Sequence, residues 1–206
     1  LVAAGVMTAD DAIRTVRERG ILMQEAVPVG VGGMSAVLGM TADEINAVVD
    51  EIPNVQVANY NCPGQIVISG LKEAVETAAV KLKEAGARRV IPLNVSGPFH
   101  SYLLEEAGEK LGRFLENIPV SEPEIPYVAN VTAAYVTKAE DVKPLLTRQV
   151  SSSVRWQQSV ETMLADGVDR FIEIGPGKTL AGFIRKINRE ATVINIEKFE
   201  DLEKLN

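Results

Sequence analysis

The sequence predicts an α/β fold of two unequal parts, a small β-α-β-β-α-β module set into a larger layer of alternating strands and helices. Three observations carry that expectation. Apolar residues switch repeatedly between period-two runs and stripes at spacings of three and four. Glycine and proline mark the switches, at Gly30 to Gly33, Pro63-Gly64, Gly86, Gly97-Pro98 and Gly175-Pro176-Gly177. The 206 residues, 46% apolar and 24% charged, are also enough to bury a core without a disulfide or metal.

Each element has its own signal. Thr8, with Asp10 and Asp11 behind it, starts a helix to about Gln24, with Ile13, Val16, Gly20 and Met23 as its buried stripe and Arg19 beside it. Met34 to Leu38 reads as a strand. Thr41-Ala-Asp-Glu44 is a capping box ahead of the stripe Ile45, Val48, Val49 and Ile52. Val55 to Tyr60 and Gln65 to Ser69 are strands joined by the turn Asn61-Cys-Pro-Gly64. Leu71, Val75, Ala78, Leu82 and Ala85 stripe a helix that stops at Gly86, and Arg89 to Leu93 is the next strand. Residues 33–94 thus follow the split βαβ order of a ferredoxin-like module.

The flanks, residues 1–32 and 95–206, form the larger part. A helix runs from about Ser101 to Leu115, followed by a buried strand at Ile125 to Val131. Helices follow around Val142 to Val150 and Trp156 to Leu164, then the strand Phe171 to Ile174, the helix Leu180 to Ile187 and the strand Val193 to Ile196. This alternation predicts parallel pairing. The charged tail from Lys198 is expected to fray.

Composition excludes several functions. Net charge is −7, which argues against coating nucleic acid. A single cysteine, Cys62, rules out an intramolecular disulfide framework and fits a reducing compartment, and a single histidine, His100, rules out a His-cluster metal site. No run of 18 or more uncharged apolar residues points to a membrane.

Among candidate functional residues, His100 leads. It sits at a strand-to-helix junction in Asn94-Val-Ser-Gly-Pro-Phe-His-Ser101, where open α/β sheets place their crevice, and imidazole is the natural general base near neutral pH. Gly175-Pro-Gly-Lys-Thr179 lacks the first glycine of a phosphate loop, Ile172 standing there, so it reads as a tight turn that could also wall a pocket. Arg88-Arg89 near Lys72, Lys81 and Lys83, and Arg185-Lys186 with Arg189, are basic clusters that read as solvated helix ends or as docking points for an anion. Cys62 reads as a turn residue. No Gly-x-Ser-x-Gly elbow occurs in the sequence.

Asn59-Tyr-Asn-Cys-Pro-Gly-Gln65, Val95-Ser-Gly-Pro-Phe-His-Ser101 and Glu173-Ile-Gly-Pro-Gly-Lys178, with Arg19-Gly20-x-x-Met23-Gln24 upstream, occur in one order across nearly the whole chain. Together they resemble the malonyl-CoA:acyl-carrier-protein transacylases of type II fatty acid synthesis. The resemblance implies an α/β-hydrolase-like large subdomain with an inserted ferredoxin-like one. It also implies ping-pong transfer of malonyl from CoA, through an elbow serine, to the phosphopantetheine thiol of acyl carrier protein. On that resemblance His100 is the general base and Gln149 the residue whose backbone carbonyl orients it. Arg19 then pairs with the malonyl carboxylate, Asn61, Arg88 and Arg89 contact CoA or carrier protein, and Phe99 marks the malonyl-selective form of its motif. It further implies a cytoplasmic monomer with no cofactor beyond its two substrates, acting on neither nucleic acid nor membrane. The family's Gly-His-Ser-Leu-Gly elbow precedes the segment matching Leu1, so the expectation is a C-terminal part with an incomplete large subdomain, inactive alone. A non-catalytic thioester or carrier-protein binding module, or a polyketide synthase acyltransferase domain, are the other readings.

Overall fold

The computed structural model describes residues 1–205. Helix α1 (Ala9–Glu25) begins where its cap places it: Thr8 Oγ1 accepts the Asp11 N–H at 3.1 Å, and Arg14 pairs with Asp11 at 2.9 Å. There follow β1 (Gly32–Leu38), α2 (Ala42–Val49), β2 (Val55–Cys62), β3 (Gln65–Leu71), α3 (Lys72–Glu84) and β4 (Arg89–Pro92). The four strands form one antiparallel sheet in the order β2-β3-β1-β4. Both bonds of the Thr41–Glu44 capping box are made. One sheet face carries Val37, Val57, Ile66 and Ile68 against Ile45 and Val49 of α2 and Val75, Ala78 and Leu82 of α3. The opposite face is covered too, Met34, Ala58 and Val67 meeting Phe99. Burial on both faces explains why Ile66-Val67-Ile68 is an unbroken apolar run.

A single 3₁₀ turn, Tyr102–Leu104, leads into α4 (Glu105–Leu115), followed by β5 (Tyr127–Ala129), β6 (Ala134–Val136), α5 (Ala139–Gln149), α6 (Trp156–Ala165), β7 (Arg170–Ile174), α7 (Thr179–Ile187) and β8 (Thr192–Ile196). Leu104, Ala107, Leu111 and Leu115 pack with Met23, Val27 and Val150, which joins α1, α4 and α5. At Gly108 of α4 a Cβ would come within 2.9 Å of the Thr147 carbonyl oxygen, so glycine permits the close approach to α5. The small sheet is tied to this part by backbone: Tyr60 N–H donates to Val154 O at 2.9 Å and Val154 N–H to Ala58 O at 2.8 Å. The segment after α5 is thereby held on the free edge of β2.

Four expectations need correction. Parallel pairing holds only for β7 with β8; β5 and β6 form an antiparallel hairpin, because four residues with Ala133 at φ +53° can reverse the chain but cannot make a crossover. The strand expected over Ile125 to Val131 is limited to β5, and Ile125 is exposed. On α1 only Met23 of the expected stripe is buried; Ile13 and Val16 are 66% and 69% exposed, while Asp11 and Thr15 lie inside. Their helical spacing is real, but only the Met23 end of that face is packed, and its first turns stay open to solvent. The tail does not fray: Phe199–Leu205 is a 3₁₀ segment in which the Asp201 carboxylate accepts the Glu197 and Lys198 N–H groups at 2.9 and 3.2 Å and pairs with Lys204 at 2.8 Å.

Candidate active site

His100 lies on the tight turn between β4 and α4. Phe99 N–H bonds Gly97 O at 3.0 Å, and the buried Ser101 hydroxyl donates to Pro98 O at 2.6 Å. His100 itself adopts φ +57°, a left-handed conformation uncommon for a residue with a side chain and frequent at functional sites. The turn carries the imidazole to Gln149, the last residue of α5, whose carbonyl oxygen is 3.0 Å from Nδ1. A carbonyl only accepts, so Nδ1 carries the proton and Nε2 of the neutral ring keeps its lone pair. Burial pushes the His100 pKa below its ordinary 6.5, the bond to Gln149 opposes that, and the nearby Arg19 charge lowers it further. The ring is therefore neutral, and able to accept a proton at Nε2, at neutral pH.

A cavity of about 440 Å³ opens beside this ring. Its walls come from α1 (Arg19, Met23, Gln24), from the sheet face turned away from α2 and α3 (Met34, Asn59, Val67), and from the chain after β4, through Leu93 and Val95 to Phe99 and His100. Most of the wall is apolar. Arg19 is half-buried there, burial lowers its pKa, and it makes no ion pair among the described residues. A cationic guanidinium without an ion-pair partner in an apolar cavity can pair with a carboxylate or phosphate that enters it.

Of the residues singled out from sequence, Arg19, Phe99 and His100 share this cavity, and Gln149 touches it through the histidine. Asn61 does not line it. The β2–β3 register shifts between Tyr60 and Cys62, which sets Asn61 out of the alternation that brings Asn59 to the wall. Arg88 and Arg89 are exposed at the other end of the sheet; Arg89 pairs with Leu38, four residues or roughly 13 Å along β1 from Met34. The turn at Gly175 to Gly177 walls no part of the cavity. Its surroundings cap α7 instead, with the Glu173 carboxylate accepting the Leu180 and Ala181 N–H groups at 3.1 and 2.9 Å. Of the second basic cluster, Arg185 binds Val193 O at 3.1 Å and Lys186 reaches Gln65 Oε1 at 3.4 Å. Cys62 is buried, and burial raises its thiol pKa against the opposing pull of Lys186, which disfavours a thiolate nucleophile. No group of three or more His, Cys, Asp and Glu side chains that could hold a metal occurs among the described residues. Nor is any helix among them long and apolar enough to cross a membrane.

A neutral imidazole held by a backbone carbonyl and a guanidinium without an ion-pair partner thus line one cavity, an arrangement able to accept a proton beside a bound anion. Residues 1–200 match the acyl transferase domain family, and the chain belongs to it. It is 47% identical over 207 residues to a malonyl CoA-acyl carrier protein transacylase of Bacillus subtilis, covering 98% of this chain and 65% of that relative. The crystal structure of an acyl carrier protein S-malonyltransferase from Vibrio cholerae superposes with a TM-score of 0.97 at 40% identity, covering 100% of this chain and 68% of that one. A malonyl-transacylase solved in complex with a type II polyketide synthase acyl-carrier protein superposes at 0.95, with 40% identity over 99% of this chain and 67% of its own. The chain thus spans about two thirds of the length of these relatives.

Proposed function

We propose that this chain supplies the general base and the carboxylate anchor of an acyl-carrier-protein S-malonyltransferase. The observation that carries the reading is the His100 Nδ1 to Gln149 carbonyl bond, which leaves Nε2 as a base beside Arg19. In the first half-reaction Nε2 takes the proton of a serine hydroxyl as its oxygen attacks the malonyl thioester carbonyl. As the C–S bond breaks, the same proton goes to the departing CoA thiolate. In the second, the base takes the proton of the carrier's phosphopantetheine thiol, sulfur attacks the acyl-serine, and the proton returns to the serine oxygen. The Gln149 carbonyl holds the ring and stabilises imidazolium, as a carboxylate does in a Ser-His-Asp triad, with a dipole in place of a charge. On the family resemblance that serine belongs to a Gly-His-Ser-Leu-Gly elbow, a motif that does not occur in these 206 residues.

Arg19 holds the free malonyl carboxylate, and Phe99, packed on Met34 and Val67, limits the space beside the acyl group. Asn61, Arg88 and Arg89 contact the CoA phosphates or the carrier. The exposure of Arg88 and Arg89 away from the cavity fits an acyl group bound inside with its phosphates held further out. The antiparallel sheet order β2-β3-β1-β4 supports a ferredoxin-like subdomain over residues 33–94, with 1–32 and 95–206 as an α/β-hydrolase-like large subdomain. The protein works as a cytoplasmic monomer with no cofactor beyond the two substrates. The test is transfer of radiolabelled malonyl from malonyl-CoA to phosphopantetheinylated acyl carrier protein by protein containing this chain. Transfer is expected, with loss in His100→Ala; label held by neither protein nor carrier, or undiminished transfer by His100→Ala, refutes the reading. Thioester binding without transfer points instead to a non-catalytic binding module.

A further inference from the structure

Gln56, on β2 of the small module, spends its whole amide on the two segments that create the imidazole site. Its Nε2 donates to the carbonyl of His100 at 3.2 Å and to that of Ser151 at 3.4 Å, and its Oε1 accepts the N–H of Tyr102 at 3.0 Å. Two donors and one acceptor are thus used on the residue that bears the base, on one two positions beyond it, and on one two positions beyond Gln149. Gln149 in turn donates from its side chain to Ser152 O at 3.3 Å. The small module is joined to this region independently by the Tyr60 and Val154 backbone pair, so Gln56 is not needed to hold the two parts together.

We propose that Gln56 is a positioning residue for His100: by clamping the His100 backbone and the Ser151 carbonyl to one side chain, it sets the imidazole against the Gln149 carbonyl and so fixes the tautomer that leaves Nε2 free. The geometric reason is the left-handed backbone of His100, at φ +57°. A conformation that a side-chain-bearing residue rarely adopts persists only where its surroundings overdetermine it, and the bonds on either side of that residue do so. The role assigned to the resulting lone pair rests on the transferase reading; the clamp itself does not.

His100 is the only histidine of the 206 residues, so imidazole ¹⁵N resonances of untagged, ¹⁵N-histidine-labelled chain report it alone. Above its ordinary pKa the wild type should show one protonated and one bare nitrogen, the pattern of a fixed tautomer. Gln56→Leu removes all three bonds at similar volume. Gln56→Glu keeps the acceptor for Tyr102 and turns a carboxylate oxygen toward two carbonyls. In each variant with wild-type circular dichroism, the two resonances should shift toward each other as the tautomers average. Should Gln56→Leu not fold, Gln56→Glu decides. A folded variant that keeps the wild-type pair of resonances overturns the proposal. Because the signal reads the ring and not turnover, this result stands apart from whether malonyl is transferred.

Discussion

Replacing Arg19 by methionine tests the substrate assignment directly. Methionine keeps a long unbranched stem and a good helix propensity, so α1 should persist while the charge is lost. Truncating one member of a hydrogen-bonded ion pair in a desolvated site costs about 2–5 kcal/mol. Arg19 is only half-buried, so solvent screens part of that interaction and the lower half of the range, about 2–3 kcal/mol, applies. At 1.4 kcal/mol per decade this weakens binding by roughly 30- to 150-fold. The loss should fall only on an acyl group with a free carboxylate. Calorimetric titration of the wild type and Arg19→Met with malonyl-pantetheine and acetyl-pantetheine should show the malonyl affinity falling by that factor and the acetyl affinity unchanged. An unaltered malonyl to acetyl ratio, or equal losses for both, would refute the pairing of Arg19 with the carboxylate.

The native pKa of His100 lies below the ordinary 6.5 of the unfolded chain, so the native state binds fewer protons between the two values. Its contribution to stability is therefore complete above 6.5 and lost as pH falls through that window to the native value. Urea midpoints measured on both sides of the window should show this slope in the wild type and a flatter one in His100→Gln. At Gly32 an added Cβ would strike the ring of Pro98, two residues before the histidine. Gly32→Ala should cost about 1–3 kcal/mol by overpacking, seen as a lower Tm, and should move the His100 resonances; a Tm unchanged from wild type would contradict the contact. The hydrogen bond from Lys204, with the N–H groups of Glu197 and Lys198, lowers the Asp201 pKa to about 2 from its ordinary 3.8. A carboxyl depressed on folding stabilises above the unfolded value and loses that as pH falls through the native one. Asp201→Asn should therefore speed hydrogen exchange of Glu197 and Lys198 near neutral pH, where the wild type is protected.

The small module could be read almost element by element because its order is local. Each of its helices has a sequence-level stop or start, Thr41 to Glu44 and Gly86 among them, and each strand run is met by a partner within the same 62-residue stretch. The larger part was harder to read for the opposite reason. Spacing on α1 marks Ile13 and Val16 as apolar neighbours, but spacing says only that a face exists, not what covers it. A short antiparallel hairpin such as β5–β6 carries too few residues for alternation to be distinguished from a buried run.

The site divides along the same line. His100 could be found from sequence because a lone imidazole after Gly-Pro-Phe at a strand end is chemically conspicuous, and the residues around it matched a family pattern. The hydrogen bonds that give that imidazole its direction come from 44 and 49 positions away, through a glutamine side chain and a backbone carbonyl. Gln56 has no sequence signature, and the Gln149 carbonyl was reachable only through the family resemblance. A carbonyl acts as an acceptor whatever side chain it belongs to, and Gln56 is an ordinary polar residue on an edge strand until β2 is laid beside Ser151 to Val154. What sequence reveals here is the imidazole. What leaves its lone pair on a chosen nitrogen is the placement of a distant carbonyl and side chain, which only the fold supplies.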